Sequence, residues 1–351
     1  MADDATVDVK VFAIEMVYVP QGAFYAGDNA TSTASFKQGS SDNDPWYIQN
    51  SDAISVTNAE ADGFYYVSNS NAGENATGSE FTIPAEFPNG FDALYCMKYE
   101  ISQGQYVDFL NTLTGTQDAT RYMTETGYRH GTWGGSQGSR TSYRSDRACN
   151  YLSWMDGAAY ADWAGLRPMT ELEFEKACRG TGAQPTDYEY AWGNQTITAA
   201  VTISGTEDGT ETITTSGANC CCNNQTFTGG DAGPGPLRCG IFATASSTRQ
   251  ESGASYYGVM EMSGNVWEQP VTLGNATGRA FTGTNGNGAI DASGNADAAN
   301  WPSTDAVGAG FRGGDWCYGE YHDHVSARYY AAYSDMTYRS RHYGFRAVRT
   351  Q

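Results

Sequence analysis

The feature that most constrains the fold of this chain is a tyrosine-rich segment between two glycine-arginine motifs near the C-terminus. Phe311-Arg-Gly-Gly-Asp-Trp316 opens the segment and Gly344-Phe-Arg-Ala-Val-Arg349 closes it. Seven tyrosines lie between them, together with arginine, histidine, aspartate and serine, and without lysine. We expect the flanking glycines to permit tight backbone geometry, and Trp316 and Phe345 to anchor the segment in the core.

The composition of this segment is typical of a binding surface. Tyrosine supplies stiff, amphipathic contact area at a low cost in conformational entropy, while serine, aspartate, histidine and arginine add adaptable hydrogen bonds. Antibody paratopes use the same mixture, whereas a buried core is built from apolar side chains. A tyrosine-rich sheet edge with ordinary solvated charges has a similar composition and is the alternative.

The length and charge of the chain set broad limits. A chain of 351 residues can form one large domain or two ordinary ones. The formal net charge of -20 argues against a nucleic-acid partner. No stretch approaches the roughly 20 apolar residues that cross a bilayer, so no membrane insertion is expected. The first residues lack the basic and apolar regions of a signal peptide, so a role outside a cell would require a virion, another assembly or a removed export signal.

Helix signals occur at three places in the first half of the chain. Ser102 begins a capping box and is followed by apolar residues at helical spacing, which predicts a helix of about three turns. A second helix is predicted from about 153 to 163. A third begins at Thr170, which opens another capping box, and ends at Gly180.

Polar residues dominate long stretches between these signals. The segment Met16–Asp28 predicts a strand, a turn and a strand, because apolar and small residues alternate there around proline and glycine. Segments near 29–90, 195–255 and 270–308 are rich in asparagine, serine, threonine and glycine. We interpret these three segments as polar insertions on a single domain.

Eight cysteines are present, but none has the C-x-x-C spacing of a structural zinc site. The run Cys220-Cys221-Cys222, with Cys239, could form a small disulfide or metal knot in a loop. Adjacent thiols do not readily point at one centre, which favours unligated or partly bridged cysteines. The sequence leaves these alternatives open.

Seven motifs in a fixed order point to a known family. They are Tyr99-Glu-Ile-Ser-Gln-Gly-Gln-Tyr106, Trp154-Met-Asp-Gly-Ala-Ala-Tyr160, Leu166-Arg-Pro-Met-Thr-Glu-Leu-Glu-Phe-Glu-Lys-Ala-Cys-Arg-Gly180, Ala191-Trp-Gly-Asn194, Gly258-Val-Met-Glu-Met-Ser-Gly-Asn-Val-Trp-Glu268, Phe311-Arg-Gly-Gly314 and Gly344-Phe-Arg346. In this order they resemble the formylglycine-generating (sulfatase-modifying) enzyme domain, a variant of the C-type lectin fold. The resemblance covers about residues 15 to 350 and implies an α+β, C-type lectin-like fold with long irregular insertions.

The family's enzymes imply an oxidase in which two cysteines, five positions apart after the Arg-Gly-Gly motif, bind copper. This chain departs from that pattern, because Tyr318 and Asp323 stand at the two positions and Cys317 lies one residue before the first. One thiol in the segment cannot form a two-thiolate soft-metal site. We therefore expect no enzyme activity, and an oxidase or other metalloenzyme on the same scaffold is the main alternative.

A second branch of the fold fits the segment better: the variable proteins of diversity-generating retroelements. Their C-terminal lectin segment is rewritten by error-prone reverse transcription at template adenines. Asparagine codons changed in this way yield tyrosine, histidine, aspartate, serine, arginine and cysteine, but not lysine. The mixture after Trp316 matches, and Glu320 and Met336 would then be fixed positions.

By this resemblance the C-terminal segment, residues 311–346, forms a ligand-binding face. Its predicted contact residues are Cys317, Tyr318, Tyr321, His322, Asp323, Tyr329, Tyr330, Tyr333, Asp335, Tyr338, Arg339, Arg341, His342 and Tyr343. The implied partner is a protein on a host or neighbouring cell surface, and the implied location is a virion or cell surface. Carbohydrate is less favoured, because the Glu-Pro-Asn and Gln-Pro-Asp calcium motifs of sugar-binding lectins are lacking. A structural surface or capsid component is a further alternative.

Two candidate metal sites complete the prediction, although no cofactor is expected to be required. The loop from Glu261 to Glu268 is similar to a calcium loop of the formylglycine enzymes, which implies Glu261, Glu268 and the carbonyls of Gly264 and Val266 as ligands of a structural calcium ion. A structural loop with Trp267 packed inward is the alternative. His322-Asp-His324 would place two imidazoles on one face of a strand and could mimic an iron site. Without a third ligand, ordinary diversified residues are favoured there.

Overall fold

Short strands and helices linked by long loops make up the computed structural model, which describes residues 9–30, 32, 34–39, 44–57, 63–66, 71–74, 80–131 and 133–351. The strands are β1 (Met16–Val19), β2 (Phe24–Ala26), β3 (Phe36–Gln38), β4 (Trp46–Ile48), β5 (Ile54–Val56), β6 (Phe64–Tyr66), β7 (Phe81–Ile83), β8 (Leu94–Met97), β9 (Arg167–Pro168), β10 (Ile203–Ser204), β11 (Thr212–Ile213) and β12 (Ala347–Thr350). The helices are α1 (Gln103–Leu110), α2 (Gly115–Arg121), α3 (Trp154–Trp163), α4 (Glu171–Arg179) and α5 (Ala276–Arg279). A 3₁₀ turn covers Glu320–His322.

An antiparallel sheet in the order β1-β8-β12-β9 joins the two ends of the domain. Strand β8 lies between β1 and β12, so Cys96 pairs with Val17 on one side and Val348 on the other. The closing motif of the tyrosine-rich segment runs directly into β12. The sheet therefore fixes one end of that segment in the core.

The segment near 29–90, predicted to be an irregular polar insertion, contains a second sheet in the order β3-β6-β5-β7, and its strand β4 pairs with β2, which lies just before the segment. Its aromatic residues pack together: Trp46 stacks on Phe64 with ring centroids 5.0 Å apart, and Phe36 lies 4.3 Å from Trp46. Phe36, Trp46 and Tyr66 are buried. Their burial explains why so polar a segment has strands.

Capping boxes begin each of the three predicted helices, which are confirmed as α1, α3 and α4. Gly180 ends α4 with a φ of 79°, a conformation that favours glycine. Helix α2 was not predicted, although Thr114 and Gln117 form the same capping box. Its sequence lacks the apolar periodicity that reveals the other helices. No helix in the described part of the chain is long and apolar enough to span a bilayer.

Buried ion pairs connect α4 to the tyrosine-rich segment. Glu171 accepts hydrogen bonds from Arg328 Nε at 2.6 Å and Nη2 at 3.0 Å, and from Arg312 Nη1 at 3.2 Å. Arg312 also donates to Glu175, and all four side chains are fully buried. The Arg328 guanidinium lies 4.1 Å from the ring centroids of both Phe36 and Tyr66. One arginine thus joins α4, the second sheet and the C-terminal segment.

We predict that Arg328→Ala lowers the free energy of unfolding by about 3 to 5 kcal/mol, because Glu171 would lose its bidentate partner in a buried site. Urea denaturation followed by circular dichroism measures the change. The exposed pair Lys98–Glu15, at 2.7 Å, supplies the control, since Lys98→Ala should cost less than about 1 kcal/mol. Equal effects of the two substitutions would contradict the role assigned to Arg328.

Part of the segment near 195–255, interpreted from its composition as a polar insertion, is buried. Ile203, Phe227 and Leu237 form an apolar cluster with Trp316 of the opening motif. Cys220, Cys221 and Cys222 are also buried. The segment therefore covers the anchor tryptophan instead of projecting into solvent.

His130 lies in the interior, where its Nδ1 is 2.8 Å from Asn150 Oδ1. Asn150 in turn donates to the carbonyls of Tyr128 and Arg341, at 3.1 and 3.3 Å, and so supports the backbone of the tyrosine-rich segment. Burial lowers the pKa of His130 to about 4. The neutral imidazole is the form that fits this site.

Because the pKa of His130 is lower in the folded than in the unfolded chain, its contribution to stability is present above about pH 6.5 and is lost as the pH falls towards 4. The full shift corresponds to about 3 kcal/mol. We expect His130→Gln to reduce the difference in unfolding free energy between about pH 7 and about pH 4.5. Denaturant titrations at both pH values test this, and an unchanged difference would refute it.

Candidate ligand-binding site

Both predicted anchors of the tyrosine-rich segment are buried. Trp316 donates from Nε1 to the carbonyl of Arg341 at 3.1 Å, which links the start of the segment to its end. Phe345 packs against Trp154 with ring centroids 5.8 Å apart. A Cβ atom on Gly157 would lie 2.0 Å from the Phe345 ring, so the helix residue facing this anchor has to be glycine. The ends of the segment are thus held by core packing.

A pocket of about 100 Å³ is lined mostly by residues of this segment. Trp267 and Phe311 are buried at its base, with ring centroids 5.6 Å apart. The other lining residues are Tyr318, Tyr330, Tyr333, Tyr338, Ser340, His342 and Tyr343. Aromatic rings therefore form most of the pocket.

The predicted tyrosines extend this pocket into an accessible surface. Tyr318, Tyr321 and Tyr338 are exposed by 38%, 56% and 47%, while Tyr330 and Tyr333 are half-buried. Their rings contact one another: Tyr330 lies 5.5 Å from Tyr333 and 6.4 Å from Tyr318. Each ring is held by its neighbours, so the surface is largely ordered before any ligand arrives.

A small hydrogen-bond network fixes the polar groups of the pocket. Asp315 Oδ2 lies 2.5 Å from His342 Nδ1, and Asp315 Oδ1 accepts from the amides of Cys317 and Tyr318 at 3.0 and 2.7 Å. The hydroxyls of Tyr338 and Tyr343 are 2.8 Å apart. Hydroxyl groups and an imidazole at an aromatic surface can donate to and accept from a ligand.

Burial raises the pKa of two tyrosines of the pocket. It raises the pKa of Tyr330 to about 12, assisted by the neighbouring tyrosines. The pKa of Tyr343 is also raised, by burial and by the hydrogen bond with Tyr338. These two phenol groups therefore keep their donor hydrogens to a higher pH than an exposed tyrosine does.

Three charged residues of the predicted face have intramolecular partners. Arg339 donates to both oxygens of Asp156 at 2.9 Å and to the carbonyls of Tyr122 and Thr120. Arg341 lies over the ring of Tyr128, and Tyr333 donates to Asp335 at 3.3 Å. The face therefore presents aromatic and hydroxyl groups more than free cations.

Two predicted contact residues point inward. His322 is buried, stacks on Tyr330 at 5.5 Å and lies 5.5 Å from Trp267; burial lowers its pKa to about 4. Asp323 is fully buried, and burial raises its pKa well above the usual range. In this arrangement Asp323 cannot touch a ligand on the surface, while His322 supports the base of the pocket. Tyr321, Tyr329 and Cys317 lie around the accessible patch.

The positions that the resemblance assigns to a thiol pair differ sharply in environment. Tyr318 is exposed at the pocket, and Asp323 is buried in the interior. His322 and His324 do not share a group of three potential metal ligands anywhere in the described ranges; His324 instead packs against Tyr188 and Tyr190. These contacts give no support to an iron site, the reading that the sequence already disfavoured.

Arg346, which lies outside the predicted calcium loop, already brings one positive charge to it. Glu268 Oε1 accepts from Arg346 Nε and Nη2, and Glu261 Oε1 accepts from the amide of Gly240. Glu261 Oε2 and Glu268 Oε2 are buried without a hydrogen-bond partner among the described residues. Two hard oxygen atoms are thus left for a cation, and calcium at this loop stays a prediction.

The family assignment comes from comparison with known proteins. A family model described as the sulfatase-modifying factor enzyme 1-like domain matches residues 6–351. The chain belongs to this family. Its fold is accordingly the α+β, C-type lectin-like fold of the formylglycine-generating enzymes, as the ordered motifs predicted.

Individual relatives within the family are distant. The chain is 28% identical over 183 residues to hercynine oxygenase of Mycobacterium tuberculosis, covering 48% of this chain. It is 32% identical over 136 residues to formylglycine-generating enzyme of Thermomonospora curvata, covering 37% of this chain. Each match spans 35% of the relative's own length, so the activities of the whole relatives do not transfer directly.

Solved structures include Treponema denticola variable protein 1. It is 13% identical, with a TM-score of 0.41 and complete coverage of both chains. This likeness is too distant to assign a function. The function has to be inferred from the site itself.

Three pocket residues were absent from the predicted contact set: Trp267, Phe311 and Ser340. Inward packing of Trp267 was the alternative to a calcium loop; Trp267 is buried, and its ring also contacts Tyr318 and Tyr330 at the pocket. Both aromatic residues belong to family motifs outside the tyrosine-rich stretch. Their place within those motifs was the available signal.

Native-state thiol labelling tests the exposure of this segment. Cys317 is half-buried and its Sγ lies 3.5 Å from Asn224 Oδ1, whereas six of the other cysteines are buried and Cys239 faces the carbonyl of Glu100. We expect Cys317 to react first with iodoacetamide, and faster as the pH rises, because burial raises its thiol pKa. Peptide mass spectrometry identifies the modified residue. Faster labelling of a different cysteine than of Cys317 would contradict this surface.

Proposed function

We propose that this protein is a non-catalytic receptor-binding protein whose C-terminal aromatic surface binds a partner protein. The observation that carries the proposal is the continuous patch of exposed and half-buried tyrosines around the pocket above Trp267. Such a patch is unusual outside interaction sites, because large accessible apolar areas favour association.

The physical properties of the patch suit recognition of a protein. Tyrosine and tryptophan are enriched among residues that contribute most of the binding energy at interfaces, typically at a central, well-packed position. The contacts among Tyr318, Tyr330 and Tyr333 reduce the entropy that is lost when a ligand immobilises them. Surrounding serine, histidine and aspartate groups can provide hydrogen bonds at the rim.

We favour a partner on the surface of a host or neighbouring cell, with the protein displayed on a virion or a cell surface. The support is the composition of the segment together with the strongly acidic chain, whose net charge disfavours nucleic acid. Carbohydrate is a lesser candidate partner, since aromatic faces also stack on sugars. A structural surface component is a further alternative, in which the same patch would contact a copy of the chain or a coat protein.

We further propose that the segment is diversified by a retroelement. The support is the set of residue types after Trp316, which matches the products of changes at asparagine codons. The genomic neighbourhood tests this directly. A near copy of the codons for residues 311–346, differing at adenines and lying beside a reverse transcriptase gene, is expected; a locus that contains neither would refute diversification.

The alternative function is oxidation by a metal centre of the family type. It is weaker because Tyr318 and Asp323 replace the thiols that the resemblance implies. Copper retained at about one equivalent and lost in Cys317→Ser would favour this alternative over a binding protein.

We also propose that the loop from Glu261 to Glu268 binds calcium, because one carboxylate oxygen of each glutamate is buried without a hydrogen-bond partner among the described residues. Calcium added to chelator-treated protein should then raise its melting temperature, since a ligand that binds only the folded state stabilises it.

Alanine substitutions test the proposed surface. Tyr333→Ala and Tyr338→Ala should each weaken binding to intact target cells by about 1 to 4 kcal/mol if the residue is a central anchor, since truncation removes packed aromatic area. Binding of fluorescently labelled protein to cells of candidate hosts, measured by flow cytometry, gives the affinities.

Tyr143→Ala is the matched control, because Tyr143 is 66% exposed and does not line the pocket. Its affinity should equal that of the unchanged protein. Unaltered binding by the double variant Tyr333→Ala/Tyr338→Ala, with a native circular dichroism spectrum, would overturn the assignment of this surface.

A further inference from the structure

A second site lies beneath the tyrosine-rich segment, in the interior. Cys220 and Cys222 are two residues apart in an extended part of the 195–255 segment, so their side chains share one side of the backbone. Cys221, between them, turns the other way, with its Sγ 3.7 Å from the carbonyl of Gly235. The three consecutive thiols are therefore divided between two environments.

Asp323 meets the two cysteines from the C-terminal segment. One ligand atom each of Cys220, Cys222 and Asp323 lies within 4.8 Å of the others, and all three residues are buried. Neither carboxylate oxygen of Asp323 has a hydrogen-bond partner within the described residues. A fully buried carboxylate without a partner is costly unless it is neutralised or binds a cation.

The backbone around the three residues is closely fitted. Ser263 Oγ donates to the carbonyl of Asp323 at 2.7 Å, and the carbonyl of Ser263 accepts from the Cys220 thiol at 3.5 Å. A Cβ atom on Gly314 would lie 1.7 Å from Asp323 Oδ1, and Gly314 has a φ of 72°. One serine thus positions both sides of the cluster, and a glycine leaves room for the carboxylate.

We propose that Cys220, Cys222 and Asp323 bind a divalent metal ion with the preferences of zinc, and that this ion ties the 195–255 segment to the base of the ligand-binding segment. Two thiolates and one carboxylate are ligands that zinc accepts, and softer thiolates disfavour magnesium and calcium. Zinc bonds of about 2.3 Å to sulfur and about 2.0 Å to oxygen place ligand atoms roughly 3.5 to 3.8 Å apart. The observed spacing accommodates this geometry.

The chemistry of binding is a simple exchange of protons for the metal. Each thiol that becomes a ligand releases its proton to solvent, and a protonated Asp323 does the same. Two thiolates and a carboxylate around one divalent ion leave a net charge of -1. Three protein ligands leave a fourth tetrahedral position for water, and Tyr190 and Trp192 pack against both cysteines to shield the cluster.

The test uses the full chain after removal of metals by a strong chelator, with zinc alone as the added probe. We expect about one equivalent of zinc by mass spectrometry, and thiolate-to-metal charge-transfer absorption when cobalt replaces zinc. Cys220→Ser and Cys222→Ser should each weaken zinc binding at least about tenfold, and Asp323→Asn should also weaken it.

Cys221→Ser is the matched control from the same run of residues and should bind zinc as the unchanged protein does. If the unmodified protein binds no zinc, or its cobalt form shows no thiolate charge-transfer absorption, the site is refuted. Both measurements use the unmodified protein, so they hold even if a variant fails to fold. Metal that is retained by Cys220→Ser but lost from Cys317→Ser would place the ion elsewhere and also refute it. The result is independent of whether the aromatic surface binds a receptor.

Discussion

The buried pairing of Glu171 with Arg312 and Arg328 is the interaction on which the arrangement of the binding segment depends. Helix α4 supplies the carboxylate, and the two arginines come from the opening motif and from the middle of the tyrosine-rich stretch. Removing Glu171 would leave Arg328 without its carboxylate partner in the interior, and removing Arg328 would take away the bidentate partner of Glu171. Either loss costs far more than the loss of an exposed pair. The segment is therefore held at its centre as well as at its ends.

Within this one segment, some side chains are buried and hold the backbone in place, while others are exposed and available to contact a ligand. Arg328, Met336 and Phe345 are fully buried, while Tyr318, Tyr321 and Tyr338 remain exposed. A loop with so many fixed points can present aromatic side chains without having to order itself first, which makes a rigid recognition surface possible without a regular strand or helix.

Much of the fold could be predicted, because helix caps and ordered motifs are local signals. Ser102, Ser153 and Thr170 mark their helices, and Trp316 and Phe345 anchor the segment as expected. The sheets within residues 29–90 and the role of Trp267 depend on contacts between distant parts of the chain, which no local pattern reveals. For the same reason the sequence did not reveal that Asp323 is buried, since its neighbours Cys220 and Cys222 lie about a hundred positions earlier in the chain.

Arg339 is a residue of the segment proposed to vary that also makes contacts needed for folding. The arginine belongs to the stretch proposed to vary, yet it shares Asp156, at the first turn of α3, with Arg121. Most replacements there would leave the aspartate with a single cation and two backbone carbonyls without their donor. If this codon is diversified, a large share of the resulting proteins would fold poorly. The number of variants able to bind a partner would then be smaller than the number of sequences that diversification produces.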